Sequence, residues 1–297
     1  MTPALNRYGL IGRTLSHSVS PLIHNQAFKI LKMPAFYENI EIEPESFAST
    51  IAQIKTLNFS GFNVTIPYKS TIKSYLDDLD PVAEKIGAVN TIVIKNGKWK
   101  GHNTDISGFK ESLKKPFGRK FENCLLIGSG GAARAVLYVL LEVYRPVKIQ
   151  IISILPEEAE NLINYFRNQY TTTSMLFTDA RNYAEDLTKY DLIINATPAG
   201  MYPHLDQTPL PGLKKLKDGC VVYDLIYNPL KTRLLLEAEQ AGQKISIIGG
   251  IEMLLLQAAA SFQLWTGKKM PLDEVRRVVM KEMAGEGTKA QRHKGTK

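Results

Sequence analysis

No run of about 18 apolar residues occurs in the chain, so no membrane-spanning helix is expected. No basic segment followed by an apolar run precedes the first strand-like residues, Tyr8 to Gly12, so a secreted protein is not expected either. Cysteine is scarce. Cys124 and Cys220 each open an apolar, strand-like run and read as small buried hydrophobes, which excludes a disulfide framework and a CxxC pair. The histidines (His17, His24, His102, His204 and His293) show neither HExxH nor any other ligand spacing, so no metal is expected. A concentrated basic patch is missing as well. The net charge is +8, but the Gly- and Lys-rich end from Ala284 to Lys297 holds +3 of it and is expected to be disordered. The rest is spread along the chain, which argues against a nucleic-acid partner and suits anionic small molecules. These absences leave a cytoplasmic protein of 297 residues, 44% of them hydrophobic and enough for two domains of ordinary size.

What is present is organised around Leu125-Leu126-Ile127-Gly128-Ser129-Gly130-Gly131-Ala132-Ala133-Arg134. An apolar strand from Cys124 leads in, and a helical run from Ala132 to Tyr144 leads out. Strand, glycine turn and helix together are the setting in which G-x-G-x-x-G/A reads as a dinucleotide site. Glycine permits the tight turn and the close approach of backbone N–H groups, and the new helix start offers unsatisfied donors to a pyrophosphate.

Upstream, Tyr8 to Gly12, Phe36 to Ile42 and Gly61 to Ile66 read as strands, the last stopped by Pro67, which cannot donate a ladder bond. Ser20-Pro21 reads as a helix start, with Ser20 as cap. Helical spacing follows from Pro44 to Leu57 and from Pro81 to Ile86. Asn96-Gly97 between Thr91–Lys95 and Lys98–His102 signals a two-residue hairpin. Strands alternating with helices argue an α/β sheet with an antiparallel excursion. Downstream, strands at Lys148–Ser153, Asp191–Asn195 and Val221–Leu225 alternate with helices at Pro156–Gln169 and Lys231–Ala241. These βα repeats fit a doubly wound parallel sheet with ligands at the carboxyl ends of its strands.

Taken singly, the polar loop residues have plain readings. Ser20 reads as a cap, Lys69 as a solvated lysine, Asp105 as a cap, and Asn90 and Thr91 as turn residues. Their strings carry more. Leu15-Ser16-His17-Ser18-Val19-Ser20-Pro21, Asn63-Val64-Thr65-Ile66-Pro67-Tyr68-Lys69, Gly87-Ala88-Val89-Asn90-Thr91 and Gly101-His102-Asn103-Thr104-Asp105 follow one another in the order and at the separations of the shikimate dehydrogenase family, which this chain resembles. The resemblance continues through Ile194-Asn195-Ala196-Thr197-Pro198, Tyr223-Asp224-Leu225-Ile226-Tyr227-Asn228-Pro229 and Gly249-Gly250-Ile251-Glu252-Met253-Leu254, to about residue 270.

The resemblance implies two domains: an α/β substrate domain over 1–107 and a doubly wound, Rossmann-like cofactor domain over 108–246. Helices over 247–283 would return to the substrate domain, and the tail would occupy 284–297. It implies reversible reduction of 3-dehydroshikimate to shikimate, a step of chorismate and aromatic amino acid biosynthesis, in a monomer or homodimer. Lys69 and Asp105 match the catalytic pair, with Lys69 passing the proton and Asp105 orienting it. Ser18 and Ser20 match a carboxylate clamp. Thr65, Asn90, Tyr227 and Gln257 match positions that hold the ring hydroxyls or the carboxylate. Gly128, Ser129, Gly130, Gly131, Ala132, Arg134, Ser153, Ala196, Thr197, Leu225 and Gly250 are the expected cofactor contacts.

NADP is the cofactor that the resemblance implies. One departure leaves NAD open. Where NADP-using members usually carry Asn-Arg-Thr, this chain has Ser153-Ile154-Leu155, and a further family arginine aligns with Glu158. A 2′-phosphate wants guanidinium forks, whereas these groups are apolar or acidic. Nor does an Asp or Glu end the strand to hold a ribose hydroxyl. Quinate/shikimate and aminoshikimate dehydrogenases of the same family are the alternative activities. Methylenetetrahydrofolate dehydrogenases share the cofactor domain but do not need the Ser18 and Ser20 strings. A dinucleotide sensor without activity is remote, because it would not need Lys69 and Asp105.

Overall fold

A computed structural model describes residues 5–114, 120–184, 186–211, 213, 215–241 and 244–294. The chain divides into two units, Met1–Gly108 with Leu255–Lys297, and Phe109–Leu254. The boundaries fall at 108/109 and 254/255, against the 107/108 and 246/247 expected from the sequence.

The first unit begins with β1 (Asn6–Gly12), α1 (Ser20–Ile30), β2 (Ala35–Glu41), α2 (Phe47–Ile54) and β3 (Gly61–Val64). It continues with β4 (Asp78–Leu79), α3 (Pro81–Ile86), β5 (Thr91–Lys95) and β6 (Lys98–His102), and α4 (Asp105–Lys114) leads out of it. Its sheet runs β2-β1-β3-β5-β6-β4. β1 is parallel to β2 and β3, and β5 is antiparallel to β3 and β6. The expected excursion is therefore the β5–β6 hairpin. Asn96 and Gly97 at its tip both have positive φ, 51° and 75°, as a primed two-residue turn requires. Because β5 reverses, its first residue lies at the same end of the sheet as the last residues of β3 and β6, with Thr91 opposite both Asn63 and His102. One sheet end thus collects the polar strings.

Ser20 does not cap α1. Val19 holds the N-cap position with no side-chain cap bond, and Ser20 is already the first helical residue, its own N–H accepted by Ser18 Oγ at 3.3 Å. Asp105, expected as a cap, likewise sits in the first turn of α4, and its carboxylate is turned to other partners.

The second unit contains β7 (Asn123–Ile127), α5 (Gly131–Val139), β8 (Lys148–Ser153), α6 (Pro156–Arg167) and β9 (Ser174–Asp179). After these come β10 (Leu192–Asn195), β11 (Val221–Asp224), α7 (Arg233–Gln240) and β12 (Ser246–Ile248). Its sheet, β12-β11-β10-β7-β8-β9, is parallel throughout. Counted within the unit, this is the 3-2-1-4-5-6 order of dinucleotide-binding sheets, and the order reverses between β7 and β10. The strands are near-continuous apolar runs, as burial of both faces demands; all four residues of β10 and of β11 are buried. α5 passes into a π-helical turn over Leu140–Tyr144.

α8 (Ile251–Thr266) starts in the second unit and continues in the first, where α9 (Leu272–Lys294) also lies. In the first unit Phe262 and Trp265 of α8 pack with Tyr8, His24, Phe28 and Tyr37, and Trp265 Nε1 donates to the Ile92 carbonyl at 2.9 Å. Of the tail expected to be disordered, residues 284–294 belong to α9, and 295–297 lie outside the described residues. Ala, Glu, Lys, Gln and Arg are good helix formers and offset the two glycines there. No described helix is long and apolar enough to cross a membrane.

Candidate active site

In the first unit the sheet end between β3, β5 and β6 holds a closed polar network. Lys69 Nζ lies 2.6 Å from Asp105 Oδ2, and both side chains are largely buried, at 13% and 7% exposure. Asp105 Oδ1 accepts from Asn90 Nδ2 at 2.8 Å. Asn90 is held in turn, its Oδ1 accepting from the Thr104 amide at 2.7 Å. That bond fixes which way the amide group points. Main-chain bonds pin the supports: the Val89 N–H donates to the Lys69 carbonyl at 2.7 Å and the Asn90 N–H to the His102 carbonyl at 3.1 Å.

Behind Asn90 the hydroxyls of Thr91, Thr104 and Ser261 form a triangle, with sides of 2.9–3.0 Å. Asn63 Nδ2 reaches Thr91 Oγ1, Ser261 Oγ and the Asn90 carbonyl at 3.0–3.2 Å, and Asn63 Oδ1 accepts from the Tyr37 hydroxyl at 2.9 Å. Buried polar groups are costly unless satisfied, and here each has several partners. Gln257 on α8 joins the same network, its Oε1 3.4 Å from Asn90 Nδ2 and 3.5 Å from Thr104 Oγ1.

The loop after β1 is fixed through Leu15. Its side chain is buried, its N–H donates to Glu41 at 2.6 Å, and its carbonyl accepts from Asn39 Nδ2 at 2.9 Å. The Ser18 N–H donates back to the Leu15 carbonyl at 2.8 Å, so both serines of the expected clamp hang from one anchored turn. Thr65 follows β3 directly, its N–H on the Ile11 carbonyl at 2.9 Å. Lys69, Asp105, Ser18, Ser20, Thr65, Asn90 and Gln257 therefore all belong to the first unit. Tyr227, half-buried after β11, belongs to the second.

The expected cofactor residues of the second unit gather at the carboxyl ends of β7, β8, β10 and β11. Gly128 has φ of +105°, and a Cβ there would meet the Ala196 carbonyl oxygen at 3.1 Å, so the turn needs glycine. Over Gly130 an added Cβ would meet nothing within 4 Å. The Arg134 N–H makes the first bond of α5, to the Gly130 carbonyl at 3.1 Å, so the Gly131, Ala132 and Ala133 amides precede it at the helix start. This open, donor-lined turn fits a pyrophosphate.

Across the reversal point Asn195 Oδ1 accepts from both the amide and the hydroxyl of Thr197, at 2.9 and 2.7 Å, which shapes the Ala196-Thr197 loop. Asn195 Nδ2 donates to Asp224 Oδ1 at 3.0 Å. Asp224 is fully buried and also accepts from the Ile226 amide at 3.0 Å and the Thr232 hydroxyl at 2.6 Å. Burial pushes its carboxyl up to about 6, and the three donors hold the rise back. Gly250 closes on the same loop. Its N–H donates to the Ile226 carbonyl at 3.0 Å, and a Cβ would fall 2.0 Å from the Leu225 carbonyl oxygen.

Asn63, Thr104 and Ser261 in the first unit, and Asn195, Asp224 and Thr232 in the second, hydrogen-bond to the expected site residues or their loops and are not singled out by sequence reasoning. One signal was available, since Ser261 stands four residues after Gln257 and so on the same helix face.

An α/β protein in two units, with a doubly wound dinucleotide-type sheet in one and a buried lysine–aspartate pair in the other, is the class that fold and site define. Residues 10–92 match the model of the shikimate dehydrogenase substrate binding domain, and 250–280 that of the shikimate 5′-dehydrogenase C-terminal domain. A Bacillus mycoides protein named shikimate dehydrogenase (NADP(+)) is 40% identical over 94% of this chain and 99% of its own length. Among solved structures, a shikimate dehydrogenase in complex with NADP+ is 39% identical with a TM-score of 0.84, over 94% of this chain and 96% of the other. The Listeria monocytogenes shikimate 5-dehydrogenase in complex with shikimate and NAD is 31% identical with a TM-score of 0.81, over 94% and 98%. The chain belongs to the shikimate dehydrogenase family.

Proposed function

We propose that this chain catalyses the reversible reduction of the ring ketone of 3-dehydroshikimate to the alcohol of shikimate, with a nicotinamide dinucleotide. The observation that carries the reading is the buried Lys69–Asp105 pair, both of whose members match the family's catalytic positions. A bound dihydronicotinamide supplies a hydride to the carbonyl carbon. Lys69 gives a proton from Nζ to the oxygen, so the C=O π bond is replaced by one C–H and one O–H bond. In the oxidative direction Lys69 takes that proton back. Asp105 aims the ammonium, and Asn90 keeps Asp105 from turning. Positioned proton transfer of this kind is worth roughly 10²–10⁴-fold in rate.

Ser18 and Ser20 hold the substrate carboxylate through their hydroxyls. Thr65, Asn90, Gln257 and Tyr227 match, on the resemblance, positions that hold the ring hydroxyls or the carboxylate. A site of hydroxyl-directed bonds rejects analogues that lack a hydroxyl, because its own buried groups are then left unpaired. A cytoplasmic enzyme, monomer or homodimer, goes with this reading as the resemblance implies it.

The test is a comparison of shikimate, quinate and aminoshikimate as substrates, with absorbance followed at the nicotinamide band. Shikimate is expected to give the highest kcat/KM; a higher value for either other acid would reassign the substrate.

A further inference from the structure

We propose that this chain selects NAD over NADP, and that Glu158, joined to the glycine turn through Ser129, is the residue that makes the selection. The proposal rests on the dinucleotide reading above.

In a doubly wound sheet the adenosine ribose lies by the end of the second strand, here β8, next to the glycine turn. Three groups there form an ordered chain of donors. The Leu155 N–H donates to Ser153 Oγ at 3.0 Å, the Ser153 and Ser129 hydroxyls are 3.1 Å apart, and Ser129 Oγ donates to Glu158 Oε2 at 3.4 Å. Each hydroxyl has one proton to give. With Ser129 giving its proton to the carboxylate, Ser153 gives its own to Ser129. The run from the strand end through the turn therefore terminates on an anion, on the first turn of α6.

The two side chains that follow Ser153 offer a 2′-phosphate nothing. Ile154 and Leu155 are 66% and 49% exposed and carry no donor in their side chains. Two cations stand near this strand end, Arg134 and Arg181, and Arg181 is already ion-paired with Asp179, the residue opposite Ser153 on β9. The Arg134 guanidinium lies over Tyr165, 5.1 Å from the ring centroid, and the field of Glu158 bears on it. The Glu158 carboxylate works against the attraction that Arg134 exerts on a phosphate. A dianionic 2′-phosphate brought to this strand end meets like charge, whereas a free 2′-hydroxyl meets an acceptor. Like-charge contact across an interface costs enough to set specificity.

The test measures equilibrium binding on the full chain by titration calorimetry, with NAD+, NADP+, ADP and 2′,5′-ADP as probes. The wild-type chain is expected to bind NAD+ on the order of tenfold or more tightly than NADP+, and ADP more tightly than 2′,5′-ADP. Glu158→Gln, which keeps the shape and removes the charge, should raise NADP+ affinity several-fold and weaken NAD+ binding, because the amide is a poorer acceptor for the 2′-hydroxyl, so that the NAD+ preference falls. Adding Ile154→Arg should carry the ratio past unity by supplying a guanidinium fork. Wild-type binding of NADP+ as tight as or tighter than NAD+ would overturn the proposal, and so would a ratio unmoved by Glu158→Gln. Absence of binding by all four probes would overturn the dinucleotide reading itself, and the selection with it.

Discussion

Asp105 spends its two carboxylate oxygens on two different partners, Oδ2 on Lys69 Nζ at 2.6 Å and Oδ1 on Asn90 Nδ2 at 2.8 Å. A carboxylate held at both ends cannot rotate, so the ammonium it holds has a fixed direction as well. Lys69→Ala should therefore cost about 10²–10⁴-fold in kcat while shikimate still binds, since the proposed carboxylate clamp and hydroxyl contacts do not involve Lys69. Steady-state kinetics with a separate binding titration distinguishes the two effects. Near-normal turnover would remove Lys69 from the mechanism.

Replacing both Ser18 and Ser20 by alanine should raise KM for shikimate by roughly 10-fold or more, as loss of two hydrogen bonds to a charged group would, with little change in kcat. The same variant is expected to keep its thermal midpoint within a few degrees. Val19, not Ser20, stands at the N-cap of α1 without a side-chain cap bond, so the variant loses at the helix start only the long 3.3 Å bond from the Ser20 N–H to Ser18 Oγ. An unchanged KM would dismiss the clamp.

Much of this architecture is legible in the residues themselves. β10 and β11 are short apolar runs that end at Asn and Asp, and the Asn96-Gly97 hairpin follows from the turn chemistry alone, whereas β3 stops at Val64, short of the Ile66 end expected before Pro67. β9 was not legible. It follows Thr171-Thr172-Thr173, lies at the sheet edge, and alternates only weakly between buried and exposed. Nor could spacing reveal the support network, which joins Asn63 to Ser261 across 198 residues. Helical or strand periodicity says that Ser261 faces inward but not what it meets. The plain readings of Ser20 and Asp105 failed for a related reason. Local propensity favours Ser and Asp as caps, but Asp105 has a stronger offer from a buried lysine that no local rule can see.

The hydroxyl triangle makes a separate claim, that Thr104 acts on the reaction through Asn90. Thr104→Val keeps the volume but removes the hydroxyl that meets Asn90, Thr91 and Ser261. It should cost about 1–3 kcal/mol of stability and lower kcat more than it changes KM. Thr104→Ser should restore both. A variant that loses stability yet keeps its kcat would confine Thr104 to a structural part.

Asp224 gives the fold itself a pH dependence. Its carboxyl, with an unfolded value near 3.8, sits at about 6 in the folded chain because burial disfavours the charge. The folded state therefore holds this proton more tightly than the unfolded state. The stability the group contributes is fully present below about pH 4 and is lost as pH rises through about 6. The difference amounts to on the order of 2–3 kcal/mol. Asp224→Asn does not titrate, and it can keep the network. Its Oδ1 still accepts from Asn195 and Ile226, while Nδ2 replaces the oxygen that faced Thr232, whose hydroxyl turns to accept. Urea unfolding of both proteins from pH 4 to pH 7 should show the wild type losing stability relative to Asp224→Asn as pH rises, most steeply between pH 4 and 6. A stability difference that stays flat across that range would mean that the buried carboxyl is ionised throughout, with its three donors outweighing the cost of burial.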